Sequence, residues 1–543
     1  MRTPILVYRS AIIAALGGLL FGFDTAVISG TISSLKAEFS LNDWWLGFTV
    51  ASALVGTVLG AATAQIPSNR FGRKPALVII AALYFFSAFG STCFWNVGAQ
   101  TAMDWGLFVF FRFIGGIAVG ASSVVSPLYT AEISPAKQRG FLVAFTQFNI
   151  VFGILLAFFT NYLIATASGS FLGTYIGAGM EWRWMFGIEA VPAALFFALL
   201  FTVPESPRWQ IGKGQIDKAK RTLRKLGTDE ERTVEEDVRV IQIAIEEETR
   251  NAREAFFTPR LWFPITLAIC MAAFNQLSGI NAVLYYAPTI FSMAGASTEM
   301  AFFFPVVIGL TNLIFTMVAM AIIDSFGRKK LMIVGSIGYI TSLVVVGLAF
   351  MIYAPQFSVS IANFAAQEAQ QKVEQAQRAL IAAPEDTKVF WQGELDKAQG
   401  DYALVAEAAI VAQNKVGIQQ AQKVEDLSAA TVPLAGILTI LVGLMVFIAS
   451  HAVGQGACIW VFIGEIFPNK VRAQGQALGC SVHWILCATI SFLFPPLLAI
   501  LGPTSIFFVF SGFMVLQLIW VIGIMPETKQ VPLEEMQKKL KIT

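Results

Sequence analysis

Apolar residues run along this chain in long uninterrupted stretches joined by short polar turns, with two longer polar interruptions. Runs of about 20 apolar residues, the length an α-helix needs to cross roughly 30 Å of hydrocarbon, lie at 10–31, 45–67, 75–95, 105–129, 140–165, 184–203, 262–290, 300–323, 330–353, 432–463, 474–500 and 503–525. Twelve membrane-spanning helices are predicted, in an all-α membrane protein. The interruption at 204–261 mixes acids and bases in a helix-compatible order and predicts short solvated helices. The one at 354–431 is rich in Ala, Gln and Glu, "AAQEAQQKVEQAQRAL" and "GELDKAQGDYALVAEAAIVAQNK" on either side of "AAPEDT", and predicts a solvent-exposed helical hairpin.

Composition narrows the class. With 56% hydrophobic and 13% charged residues and a mean hydropathy of +0.67, the chain is too apolar for a hydrated globular surface. The net charge of +2 says nothing about partners, but the placement of Lys and Arg does. They cluster at Arg70, Arg73 and Lys74, at Lys137 and Arg139, through 204–261, at Arg328 to Lys330, at Lys470 and Arg472, and in the tail 526–543. These are alternate loops, so the positive-inside bias predicts a multi-pass protein of the cell (inner) membrane with both termini cytoplasmic. The first apolar run has no small-residue cleavage site and reads as a retained span. The five cysteines fall within predicted spans and imply neither disulfide nor metal framework. Nucleotide loops and nucleophile motifs are absent, so the chain reads as no enzyme, with no cofactor, metal or nucleic-acid partner.

The two ends of the sequence repeat each other. "NRFGRK" at 69–74 matches "DSFGRK" at 324–329, "EISPAKQR" at 132–139 matches "EIFPNKVR" at 465–472, and "PESPR" at 204–208 echoes "PETK" at 526–529. Each motif ends a predicted span on the basic side, in the same order. Two parallel six-helix halves follow: 1–203, and 262–353 with 432–525, joined by 204–261. Arg73 and Glu132 are 59 residues apart but Arg328 and Glu465 are 137, so the second half carries 78 extra residues, the hairpin at 354–431.

Charged and amide side chains inside the spans carry the candidate chemistry. A carboxylate in hydrocarbon costs about 2.5–3.5 kcal/mol on insertion scales, so Asp24 in "FGFDTAVISG" needs a partner or a function. Arg112 in the fourth span is a partner, and Glu189 in the sixth is a second buried acid. Paired, Asp24 stays ionised; released and desolvated, it takes up a proton, which makes it a proton carrier. The alternative is a permanent pair that fixes helix register. Gln147, Asn275, Gln276, Asn281 and Asn312 place amides within spans, either as a binding site or as cross-links between helices.

"GLLFGFDTAVISG", "NRFGRK", "PESPRW", "NQLSGINAVLYYAPTIF" and "PETK", in this order and spacing, resemble the sugar porters of the major facilitator superfamily, over the whole chain except 355–430. The resemblance implies the major facilitator fold and a sugar site of neutral amides and aromatic walls, since a sugar offers hydroxyls around an apolar-faced ring. Gln147 would come from the first half, and Gln276, Asn281 and Asn312 from the second. Gly279 beside Ser278 would let the seventh helix unwind so that amides on both sides of the break face one cavity. Trp460 and Trp484 match pocket tryptophans, and Phe21, Tyr285 and Tyr286 match wall residues. His451 and His483 stand at pocket positions usually held by Phe and by Gln or Asn; a neutral imidazole can replace an amide, or one of them titrates and shapes a pH response. Proton-coupled members pair an Asp and an Arg across the first and fourth helices, as Asp24 and Arg112 would. Arg73, Glu132, Arg139 and Glu205 would form ion pairs with Asp324, Arg328, Glu465 and Arg472 of the other half, closing the cytoplasmic side. The family's proline-rich stretch in the tenth helix reads "GQGACIW" here, which makes that helix less predisposed to kink. The expected function is proton-coupled symport of a monosaccharide, hexose or pentose, by alternating access through one chain in the bilayer. The alternatives are a sugar uniporter and a non-transporting sugar sensor.

Overall fold

The computed structural model describes residues 5–93, 102–135, 138–167, 179–227, 233–251, 255–385, 387–423, 434–468, 470–531, 533–540 and 542. Lys137, positions 94–95 and 432–433 of two predicted spans, and the hairpin's end at 424–431 lie outside the described residues. The first half comprises α1 (Ile5–Val27), a 3₁₀ turn (Ile28–Thr31), α2 (Ile32–Glu38), α3 (Asp43–Thr63), α4 (Gln65–Phe71), α5 (Arg73–Ser91), α6 (Ala102–Ile133), α7 (Arg139–Ala165), α8 (Glu181–Gly187) and α9 (Ala190–Leu200). The linker holds α10 (Pro207–Gly212), α11 (Ile216–Leu226) and α12 (Val234–Asn251). The second half runs through α13 (Trp262–Leu277), α14 (Ile280–Tyr285), α15 (Ala287–Met293), α16 (Thr298–Phe326) and α17 (Arg328–Ile352), then the hairpin α18 (Ala354–Ala382) and α19 (Lys388–Lys423). It resumes with α20 (Leu434–His451), a π-turn (Ala452–Gly456), α21 (Ala457–Ile466) and α22 (Arg472–Gly523), and the tail ends in α23 (Leu533–Lys539).

Eleven of the described helical stretches are long and apolar enough to cross a membrane. One is α22, 52 residues long and bent at Gly502 (φ 72°), which Pro503 follows. It supplies the two spans expected at 474–500 and 503–525, so the count of twelve is consistent with the structure. The protein is a multi-pass membrane protein.

Within each half the helices approach closely because small residues line their contacts. A Cβ on Gly22 of α1 would lie 1.8 Å from the Ile150 carbonyl oxygen of α7, so no side chain fits there. The halves meet in the part of the bundle away from the basic loops. Trp44 packs on Phe492 with ring centroids 5.8 Å apart, Tyr162 lies 5.5 Å from Phe303, and the 3₁₀ turn packs against α14 and α15.

The tenth span is irregular although it lacks the family's prolines. Residues 452–456 form a π-turn, in which one extra residue locally widens the helix without proline. Its Gly454 backs onto Gly335 of α17, where a Cβ would sit 2.9 Å from the Gly335 Cα. Gln455 in the same turn is buried, hydrogen-bonded to Gln517 and accepting from the Tyr339 hydroxyl at 3.2 Å.

Candidate functional site

The first cluster is charged and buried. Arg112 Nη1 donates to Asp24 Oδ1 at 2.6 Å and its Nη2 to the Asp24 carbonyl at 3.2 Å, while its guanidinium lies 5.1 Å from the centre of the Phe186 ring. Asp24, Arg112 and Glu189 are each no more than 3% exposed. Glu189 sits in the field of both partners, and its Oε1 has no hydrogen-bond partner among the described residues. A cavity of about 10 Å³, room for one water, adjoins the pair between Thr25, Thr57 and Tyr285. The structure therefore brings Asp24, Arg112 and Glu189 together, and adds Tyr285 from the other half.

The second cluster is neutral and built around a broken helix. Span seven stops at Leu277 and restarts at Ile280. Gly279 adopts φ 82°, a left-handed conformation that glycine takes without strain. The Ser278 hydroxyl donates to the Asn275 carbonyl at 2.7 Å, taking up a group the break leaves unpaired. Across it, Asn281 Nδ2 donates to Gln276 Oε1 at 2.8 Å, and Gln276 Nε2 donates to Asn275 Oδ1 at 3.0 Å. Gln276 Nε2 also lies 3.2 Å from either ring nitrogen of His483. His483 packs against two indoles, tilted on Trp460 at 5.3 Å and edge-to-face with Trp484 at 5.0 Å, and Trp484 in turn meets Phe21 of the first half at 5.6 Å. Donors, acceptors and flat aromatic faces thus converge where the halves meet, the composition a polyhydroxylated ring requires.

The remaining expected residues stand apart in this conformation. Gln147 is exposed on α7 without a hydrogen bond to the cluster among the described residues. Asn312 is buried on α16, and its amide oxygen accepts a 3.4 Å contact from Thr316. His451 has Nδ1 2.5 Å from the Tyr339 hydroxyl, which ties it to the π-turn network more than to the amides. Tyr285 lines the acid cavity, not the aromatic wall, and Tyr286 is buried with its hydroxyl donating to the Ser491 carbonyl at 3.2 Å.

The expected ion pairs between halves at the basic end give way to pairs within each half. Arg73 grips Glu132 through Nε and Nη2, both at 2.9 Å. Arg328 meets Glu465 at 2.8 Å and Asp324 at 3.1 Å. The Glu205 carboxylate accepts from the backbone N–H groups of Arg73 (3.0 Å), Lys74 (3.2 Å) and Ser206 (2.7 Å). Burial pushes its carboxyl above the usual range, and those N–H groups pull it partly back. Arg139 is exposed, and Nε and Nη2 of Arg472 are buried without partners among the described residues. The physical reason is the position of the interface: the named contacts between halves lie toward the opposite end, so among the described residues these charges pair on their own side.

Two functional positions escaped the residue list drawn from sequence. Glu527 of "PETK" mirrors Glu205, accepting from the N–H groups of Arg328 (3.0 Å) and Lys329 (3.1 Å); the repeat already held that signal. Cys487, read as an apolar filler, accepts from Asn281 Nδ2 at 3.1 Å inside the amide cluster, and nothing in its local sequence marks it.

The family of sugar (and other) transporters matches residues 10–366 and 420–540, leaving most of the hairpin outside. The D-xylose-proton symporter of Escherichia coli (strain K12) is 32% identical over 557 aligned positions, covering 98% of this chain and 95% of its own. The inward open conformation of the E. coli xylose transporter superposes with a TM-score of 0.72 at 30% identity, over 98% of this chain and 99% of that one. The proton:xylose symporter bound to 6-bromo-6-deoxy-D-glucose gives 0.67 at 31%, over 98% and 99%.

Proposed function

The chain belongs to the family of sugar (and other) transporters, and from that membership we propose that it is a proton-coupled monosaccharide symporter working by alternating access. The observation that carries this reading is the Asp24–Arg112 pair, buried at 2.6 Å beside a cavity that Tyr285 of the opposite half helps to line. A buried acid paired within one half and bordered by the other changes its surroundings, and with them its protonation, when the halves rock. The similarity to a D-xylose-proton symporter supports the same reading. In this reading Gln276, Asn281, His483, Trp460, Trp484 and Phe21 hold the sugar, with Gln147 and Asn312 joining when the site closes around it. The basic loops and both termini face the cytoplasm of the inner membrane, one chain suffices, and the ion pairs of Arg73, Glu132, Arg328 and Glu465 hold each half rigid while the cytoplasmic side stands open.

The energetics suffice. A proton moving through 100 mV releases about 2.3 kcal/mol. At about 1.4 kcal/mol per tenfold, one proton per sugar sustains a gradient of roughly fifty-fold. Reconstituted vesicles test the proposal: added sugar makes the external medium more alkaline if the protein is a symporter. Equilibration without proton movement would make it a uniporter, and binding without flux a sensor. In the symporter an Asp24→Asn variant exchanges sugar across the membrane but no longer accumulates it.

A further inference from the structure

We propose that α18 is a strap across the outer side: it is anchored in the second half, reaches over to the first, and holds the halves together there while the cytoplasmic side opens. The inference rests on the alternating-access part of the proposed function, and it needs neither proton coupling nor a particular sugar.

The root of the strap is fixed in the second half. Helix α17 starts at the basic loop of Arg328, so it ends on the opposite side of the bundle, and α18 follows it after Tyr353 alone. Phe357, in the first turn of α18, is 1% exposed. Its ring lies 5.4 Å from Phe350 of α17, which itself stacks on Phe507 of α22 at 5.8 Å. From the other side, a Cβ on Gly436 near the start of α20 would meet the Phe357 ring at 3.1 Å. Packed between α17 and α20, the first turn of α18 moves with the second half.

The far end of the same helix touches the first half. Arg378 stands 21 residues beyond Phe357 in one uninterrupted helix, about 31 Å along its axis at 1.5 Å per residue. A Cβ on Gly179 would fall 2.2 Å from Arg378 Nη1, so the guanidinium lies directly against the backbone that leads into α8. Helix α8 is tied into the outer rim of its half by Arg183. That side chain donates to Glu38 at the end of α2 at 2.7 Å, and to the carbonyls of Thr92 and Cys93 at 2.9 and 2.7 Å. Between root and tip, α18 packs on α2 of the first half and on α15 of the second, while α19 packs along it.

A stiff helix rooted in one half cannot follow both. When the outer side opens, α2 moves away from α15, α18 stays with its root, and its contacts with α2 and Gly179 are lost. Contacts made in one state and lost in the other shift the equilibrium toward the first, here the state closed on the outer side. Each contact is also weak enough to release in every cycle, since half of the Arg378 side chain is exposed. The family match stops at residue 366 and resumes at 420, so the part of α18 that reaches Gly179 lies outside it. A spacer that only joined spans nine and ten would have no reason to engage the first half.

Hydrogen–deuterium exchange on the full chain tests the strap. Ala369→Pro interrupts the helix between root and tip, and Arg378→Ala removes the guanidinium while keeping the helix. Both should raise exchange several-fold in 28–41 and 285–297 and lower it at the cytoplasmic ends 64–73 and 323–330. Gln370→Ala, an exposed position beside the proline site, should match wild type. Unchanged exchange at 28–41 and 285–297 in either strap variant overturns the inference, and so does a rise confined to 354–423, which is local unfolding of the hairpin. A rise on the outer side without the fall at the cytoplasmic ends overturns it too, because the halves would then have loosened without rocking. Sugar binding without flux by the wild-type protein in reconstituted vesicles refutes alternating access itself, which is a separate outcome.

Discussion

At the scale of single residues the site depends on one histidine where an amide would serve. His483 faces Gln276 Nε2 at 3.2 Å and is held between Trp460 and Trp484. His483→Gln should keep sugar affinity within about tenfold. His483→Leu leaves a buried amide hydrogen unpaired, which costs about 1–3 kcal/mol and should weaken binding by roughly 5- to 150-fold, measured by equilibrium sugar binding. How much of this was legible varies with chemistry. Asp24, Arg112 and Glu189 announce themselves because a charge in an apolar run needs an explanation. Cys487 does not, because a thiol among apolar residues is the ordinary case, and only its contact with Asn281 gives it a role. Tyr285 reads as an aromatic wall, yet its direction depends on where the helix restarts after Gly279, and the structure turns it toward Asp24.

At the scale of elements the breaks matter more than the lengths. Gly279 combines φ 82° with a Phe510 ring 2.5 Å from where a Cβ would stand. Gly279→Ala should therefore destabilise the protein by at least about 1–2 kcal/mol from the left-handed conformation alone, with a lower melting temperature in detergent and weaker sugar binding. The sequence predicted this break because Gly beside Ser sits inside an amide-rich stretch. It did not predict the π-turn at 452–456: that turn is held by Gly335 and Gln517 from other helices, partners distant in sequence. The starts of α5 and α17 show the opposite case, a tertiary contact written twice in the sequence. Glu205 and Glu527 each cap backbone N–H groups of an Arg-Lys pair. Glu205→Ala or Glu527→Ala should each lower stability by about 0.5–2 kcal/mol, the range for a lost cap, and the loss should be read in thermal unfolding of the purified protein.

At the scale of the whole molecule the two halves meet along α3 and α22, where Trp44 and Phe492 touch. A short bifunctional thiol cross-linker between Trp44→Cys and Phe492→Cys should stop transport, with activity returning when a reducible linker is cleaved; undiminished flux in the cross-linked protein would mean that the halves do not separate there. The two-half architecture was readable because helix length, charge placement and repeated motifs each report on it independently. The relation between the halves was not, because a repeat specifies each half's own packing and leaves open which ends of the halves touch. The 78 residues between spans nine and ten also have a meaning in time. A ribosome adding roughly 5–20 residues per second needs about 4–16 s to make them. Throughout that delay Gln276 and Asn281 are already in the bilayer, while His483 and Cys487 have yet to be synthesised. Newly made chains thus pass through a stage with unmatched amides in lipid, a stage when lipid headgroups, water or an insertion factor must stand in for the helix still to come.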